Sequence, residues 1–185
     1  MKTLTIHCNG QINPDVVVKF KKVFLDALAL QSPPDEIVIM LSSIGGSTWP
    51  VIELYWFFRT VPIPITICNA GVIESNANTV FLSADKRVAL PVSRFLLHGF
   101  ETVFAQTTVP YNGVVEAFYS LNNDIERIAN IYEERTQGAK VAIDIRQHLK
   151  GTPLILGPKE ALAAGITTDD IGDIGFDFGI DHIYL

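Results

Sequence analysis

The chain has 185 residues, a formal charge of −6 and a pI of about 5.1; 48% of residues are hydrophobic and only 18% charged. That length carries one domain, read here as 1–185, with a sizeable core. The acidic balance excludes the basic stripe of a nucleic-acid binder, and no apolar run reaches the roughly 18 residues of a membrane span.

The first segment, "LTIHCNG" (Leu4 to Gly10), alternates apolar and polar residues and ends at glycine, as a strand does. Pro14 then opens a helix in which Val17, Phe20, Val23, Phe24 and Leu28 recur at helical spacing, and Pro33-Pro34 closes it. "EIVIMLSS" (Glu36 to Ser43) is the continuous apolar run of a strand covered on both faces. "IGGSTWP" breaks that run, and "VIELYWFFRTV" returns as a helix. "ITICNAG" (Ile65 to Gly71) reads as another buried strand, and "GVIESNANTVFLSA" (Gly71 to Ala84) as the helix after it.

"KRVALP" (Lys86 to Pro91) and "RFLLHGF" (Arg94 to Phe100) read as short strands. Tyr111 to about Gln137 reads as one long helix with a stripe of Val115, Phe118, Ile125, Ile128 and Ile131. "GPKEALAAGITTDDIG" holds a last short helix stopped at Gly165. Strands alternating with helices predict an α/β fold with parallel βαβ units. Such folds place their sites at the carboxyl ends of the strands. Cys8 and Cys68 sit in strand-like runs and read as buried free thiols, with no metal site expected. "MKTLTIHCNG" lacks the apolar stretch of a leader, so a cytoplasmic protein is expected. The low charge content fits either a large core or surface buried between subunits.

Three features share the chemistry of acyl transfer. Gly45-Gly46 follows a buried strand and permits a backbone in which an N–H faces a cleft. Ser75 stands in the polar knot Glu74-Ser75-Asn76 at a helix start, where serine serves either as a cap or as a nucleophile beside free N–H groups. His98 lies in an apolar segment, as a core histidine or a base. Taken alone, each is most simply structural. In this order they supply a nucleophile, a base and two oxyanion donors. The order predicts that Ser75 and His98 come within hydrogen-bond reach.

The residues that carry this pattern resemble the Clp protease proteolytic subunit. "EIVIMLSSIGGS" resembles that family's apolar strand ending in Asn-Ser-Pro-Gly-Gly-Ser. "ICNAGVIESNANTVFLSADKRVALPVSRFLLHGF" resembles its Gly-x-Ala-Ala-Ser-Met-Gly block, its Leu-Pro-x-Ser-Arg segment and its Met-Ile-His. "GPKEALAAGITTDDI" resembles its closing Ser-x-x-Glu-Ala-x-x-x-Gly-Leu-Ile-Asp, and "IHCNGQIN" its first strand. The resemblance implies a ClpP-like, crotonase-like α/β fold of repeated ββα units, with a handle helix protruding from about 101–138. It implies a serine-type endopeptidase with Ser75 as nucleophile, His98 as base, and the backbone N–H groups of Gly46 and Asn76 as oxyanion donors. No cofactor is implied. The implied partners are peptide or unfolded protein as substrate, an AAA+ unfoldase, and further copies of the chain in a ring.

The chain also departs from the pattern. Ile44 and Ser42 replace a proline and an asparagine, and Glu74 and Asn76 flank the serine where alanine and methionine are usual. A carboxylate at Glu74 is placed to raise the pKa of a nearby histidine or repel an acidic substrate. The family's triad aspartate falls near Thr152-Pro153, where there is no acid; Asp144 is the only acid between Gly138 and Gly157. His98 is therefore expected to be oriented by Asp144 or by a neutral hydroxyl or carbonyl near Thr152. The sequence opens at the first strand, with no counterpart to the axial loops. Two other readings follow: a catalytically weakened scaffold subunit with the same fold, and a crotonase-like enzyme binding a thioester.

Overall fold

A computed structural model describes residues 2–105, 108–170 and 181–185. Strand β1 (Thr3–Ile12) runs into helix α1 (Pro14–Leu28), whose start is set by Pro14 and by Asn13 Oδ1, which accepts from Val16 N at 3.0 Å. Strand β2 (Glu36–Gly46), helix α2 (Thr48–Thr60) and strand β3 (Ile65–Glu74) follow. Then come the short helix α3 (Ala77–Phe81) and strands β4 (Lys86–Ala89) and β5 (Arg94–Leu97). The long helix α4 (Tyr111–Arg135) leads to α5 (Ile145–Lys150), β6 (Leu154–Leu156) and α6 (Pro158–Ala163). Strand β7 (Asp181–Tyr184) is the last described element.

The strands form one sheet in the order β6-β5-β3-β2-β1-β7. The ladders are parallel except β5 with β6. Strand β3 forks: Thr66 to Asn69 pair with β4, while Val72 to Glu74 pair with β5. Asn69 sits at the fork, fully buried. Its Nδ2 donates to Arg94 O at 2.9 Å and its Oδ1 accepts from Gly71 N at 3.0 Å, so the amide side chain supplies the hydrogen bonds the diverging strands lack.

Three segments differ from expectation. Strand β2 does not stop at Ser43; it bulges and continues through Gly46, where β1 pairs with it. Gly46 is required there, because a Cβ would lie 1.9 Å from Ile12 O. The segment from Gly71 is not helical throughout: Gly71 to Glu74 extend β3, and the helix is only Ala77–Phe81. Pairing with β5 overrides the local helix pattern, because a strand edge left open beside β5 would strand its backbone groups. Strands β6 and β7 were not expected: β6 is only three residues long, and β7 opens on Asp181-His182, so neither offers an apolar run of strand length.

The core is built where the patterns placed it. Phe20 and Phe24 of α1 pack on Phe58 of α2, with ring centroids 5.2 Å apart in both pairs. Cys8 and Cys68 are free and buried, and burial pushes their thiols up to about 11 and about 12, as inert core residues. The stripe of α4 divides. Ile125, Ile128, Ile131 and Tyr132 pack with Tyr55, Leu82 and Leu97, whereas Tyr111, Val114, Phe118 and Tyr119 are exposed. Helix α5 is held to α4 by Arg146, which bonds Glu126 (2.8 Å), Asn130 (3.0 Å) and Glu133. Among the described residues no helix is long and apolar enough to cross a membrane.

Candidate active site

The candidate site lies at the carboxyl ends of β2, β3 and β5. Ser75 is the single residue between the end of β3 and the Asn76 cap of α3, and its φ is +52°. A serine in the left-handed region is strained by roughly 1–2 kcal/mol, and such strain persists only where the surroundings impose it. Here the surroundings are identifiable. Ser75 N donates to Leu96 O at 2.9 Å, which anchors the turn to β5. Asn78, fully buried, donates through Nδ2 to Ser75 O (2.9 Å), Leu96 O (3.0 Å) and Ile73 O (3.3 Å). One side chain thus gathers the carbonyls on both sides of the turn. Beneath it, Phe81 of α3 packs edge-on against Phe95 of β5 at 5.1 Å.

Gly45 presses on the same turn. At φ +100°, a Cβ there would lie 2.8 Å from Ser75 Cβ, 2.9 Å from Glu74 O and 3.2 Å from Asn76 N. Asn76, nearly buried, reaches back with Nδ2 to Gly46 O at 2.9 Å. The two residues expected to supply oxyanion donors, Gly46 and Asn76, are therefore tied to each other, which fixes their separation.

His98 follows β5 and is half-buried. Its Nδ1 lies 2.8 Å from Gly99 O. A carbonyl only accepts, so Nδ1 carries the hydrogen and Nε2 is left with the lone pair. That is the tautomer a general base needs, assigned here from the hydrogen-bond partner. Among the described residues no hydrogen bond joins His98 to Ser75 Oγ. The two sit on adjacent strand ends, and pairing at a catalytic site often tightens only around substrate.

Asp144 does not partner His98. It is exposed and is the N-cap of α5, where Oδ1 accepts from Gln147 N at 3.2 Å. Thr152 O lies 2.7 Å from His148 Nδ1, and among the described residues no hydrogen bond joins Thr152 O or the Thr152 hydroxyl to His98. The segment aligned with the missing aspartate does approach His98: Phe100 N donates to Leu149 O at 3.0 Å, and a Cβ on Gly99 would lie 3.2 Å from Gly151 Cα. The neutral partner is instead the carbonyl of the next residue. Glu74 Oε1 is paired to Arg94 Nη2 at 2.6 Å, so its carboxylate is answered by a guanidinium.

Sequence reasoning missed the Asn78 clamp and the Asn76–Gly46 tie. Both are amide side chains aimed at carbonyls of other strands, and only their position beside Ser75 marked them.

The structure is similar to ClpP1 from Listeria monocytogenes, with a TM-score of 0.71 and 23% identity over 90% of this chain and 89% of that one. It is also similar to a point mutant of ClpP1 from the same organism, with a TM-score of 0.70 and 20% identity over 91% and 90%. Comparison with curated protein sequences returned no match. The family model described as Clp protease matches residues 1–173. The chain has a ClpP-like fold and belongs to the Clp protease family.

Proposed function

We propose that this chain is a serine-type peptidase, a single ClpP-like domain whose long helix α4 is the handle. The observation that carries this reading is Ser75 held at φ +52° between β3 and α3 and clamped by Asn78. Ser75 Oγ attacks the scissile carbonyl carbon and passes its proton to His98 Nε2. The N–H groups of Gly46 and Asn76 receive the oxyanion. His98 then protonates the leaving amine, and a water, activated by the same nitrogen, hydrolyses the acyl-enzyme. The substrate is peptide or unfolded protein, reached inside an oligomer of this chain in the cytoplasm, and an AAA+ unfoldase supplies it.

The hydrogen bond from His98 to Gly99 O adds a restriction. A neutral carbonyl orients the ring yet does not stabilise the imidazolium as a carboxylate does. Replacing a triad aspartate by a neutral group costs about 10⁴ in rate, although the loss there includes a wrong tautomer. Slow acylation is therefore expected. The same observation favours the second reading, a chamber subunit that retains the fold with weakened chemistry.

A fluorophosphonate probe separates the two. Slow labelling at Ser75, abolished in Ser75→Ala and strongly reduced in His98→Ala, supports the peptidase. A folded protein whose labelling is no greater than that of Ser75→Ala leaves the scaffold reading in its place. Asp144→Ala should label at the wild-type rate.

A further inference from the structure

A second cavity, of about 550 Å³, lies where the end of α4 and the turn after it meet α6 and Arg87 of β4. None of its lining residues belongs to the Ser75 site. Its charged lining side chains are Arg87, Arg135, Lys140 and Lys159, with no carboxylate among them, in a chain whose formal charge is −6. Asp169, which accepts from Thr168 Oγ1 at 2.5 Å, lines the neighbouring cavity beside Pro91 and Val92, and Lys159, Leu162 and Thr167 form the wall common to both.

Arg87 is 3% exposed and forms no ion pair among the described residues. Its guanidinium bonds four carbonyls: Ile166 O (2.7 Å), Ala84 O (2.8 Å), and Arg135 O and Gly165 O (3.0 Å each). Burial and the adjacent Arg135 cation pull its pKa down to about 10, with Asp85 opposing. A buried cation answered only by dipoles is costly unless a counter-charge is supplied.

The surroundings add positive charge. Arg59 and Arg135 share the exposed Asp85, at 2.6 and 2.7 Å, so three guanidinium groups are set against one carboxylate. Lys140 and Lys159 form no ion pair among the described residues. Arg87 Nη1 retains one N–H, and Arg135 Nη1 both of its own, with no acceptor among the described residues. Like charges within a Debye length, about 10 Å, repel. What such a cavity lacks is an anion with several acceptor oxygens.

We propose that this cavity binds a phosphate dianion, free or carried on a small ester, between Lys140, Lys159 and the Arg87–Arg135 pair. The two arginines are fixed in the wall by carbonyl acceptors and the lysines stand at the surface, so the anion meets flexible ammonium groups first, with the fixed guanidinium charge behind them. A volume of this size admits a mononucleotide-sized ligand as well as the bare ion.

The test is calorimetric titration of the full chain with inorganic phosphate and, separately, with a nucleoside monophosphate, at ionic strength held constant with chloride. The comparison protein is the double variant Lys140→Gln/Lys159→Gln, in which both changes are exposed and leave the core intact. Saturable binding of either probe, weakened about tenfold or more in the double variant, supports the site, since two charged donors to the anion are lost. Equal affinities identify the phosphate group alone as the ligand, and tighter binding of the nucleotide identifies an ester. Absence of saturable binding by both probes, or unchanged affinity in the double variant, overturns the proposal. Fluorophosphonate labelling reports Ser75 independently, so neither outcome is confused with failure of the peptidase reading.

Discussion

At the scale of single residues, the candidate site is a matter of close approach. Gly45 has no side chain because Ser75 Cβ, Glu74 O and Asn76 N fill the space a Cβ would need. Gly10 has the same φ of +100° with nothing within 4 Å. The two positions therefore separate strain from contact. Gly10→Ala should cost only the backbone term, about 1–2 kcal/mol. Gly45→Ala adds a collision with backbone and should cost about 2–4 kcal/mol more, with loss of any fluorophosphonate labelling because the serine turn must shift. Urea unfolding of both variants checks the difference. Equal losses would mean that the turn at Ser75 yields freely.

At the scale of elements, the turn between β4 and β5 is built against its own sequence. Ser93 N donates to Leu90 O at 3.2 Å across Pro91-Val92, and Val92 has φ +62° with its side chain fully exposed. This is the third position of a turn that calls for glycine or asparagine, occupied by a β-branched residue. Pro91 suits the second position, so the turn forms and Val92 bears the strain. Since Val92 buries nothing, Val92→Gly should stabilise the protein by about 1 kcal/mol, the reverse of the usual effect of a new glycine. A raised denaturant midpoint with unchanged slope is the expected result; a lowered midpoint would show that the exposed valine makes contacts in the assembled protein.

At the scale of the whole molecule, two surfaces matter. The N-terminal half of α4 exposes Tyr111, Val114, Phe118 and Tyr119, while its C-terminal half is packed into the core. A helix anchored at one end and apolar at the other is suited to contact another copy. Light scattering should find an oligomer at micromolar concentration, and Phe118→Asp should lower its mass without altering the circular dichroism.

The second surface is the sheet edge, where β7 adds to β1 and brings His7 Nε2 within 2.9 Å of His182 Nδ1, with Tyr184 stacked on His7 at 4.6 Å. Burial, and then the His182 charge, lower the His7 pKa. For a base, a lowered folded-state pKa means that the unfolded chain binds protons more readily. Stability should therefore be intact above the ordinary value of about 6.5 and decline as pH falls below it. Urea midpoints at pH 7.5 and 5.5 should differ more for the wild type than for His7→Gln.

The sequence by itself determined the class of fold and the chemistry on offer. The apolar patterns of α1, β2, α2 and the C-terminal half of α4 survive because burial of apolar surface dominates the folding energy. Ser75, His98, Gly46 and Asn76 stand out as candidates by residue type and order. Only the tertiary structure decided the rest. Gly71 to Glu74 became strand because β5 lies beside them, a partner twenty residues away that local propensity cannot register. Asp144 became a helix cap and His98 turned to Gly99 O because hydrogen bonds are short-ranged and directional. A sequence names an acid in the expected segment, whereas the folded backbone decides which oxygen lies within 3 Å of the histidine ring.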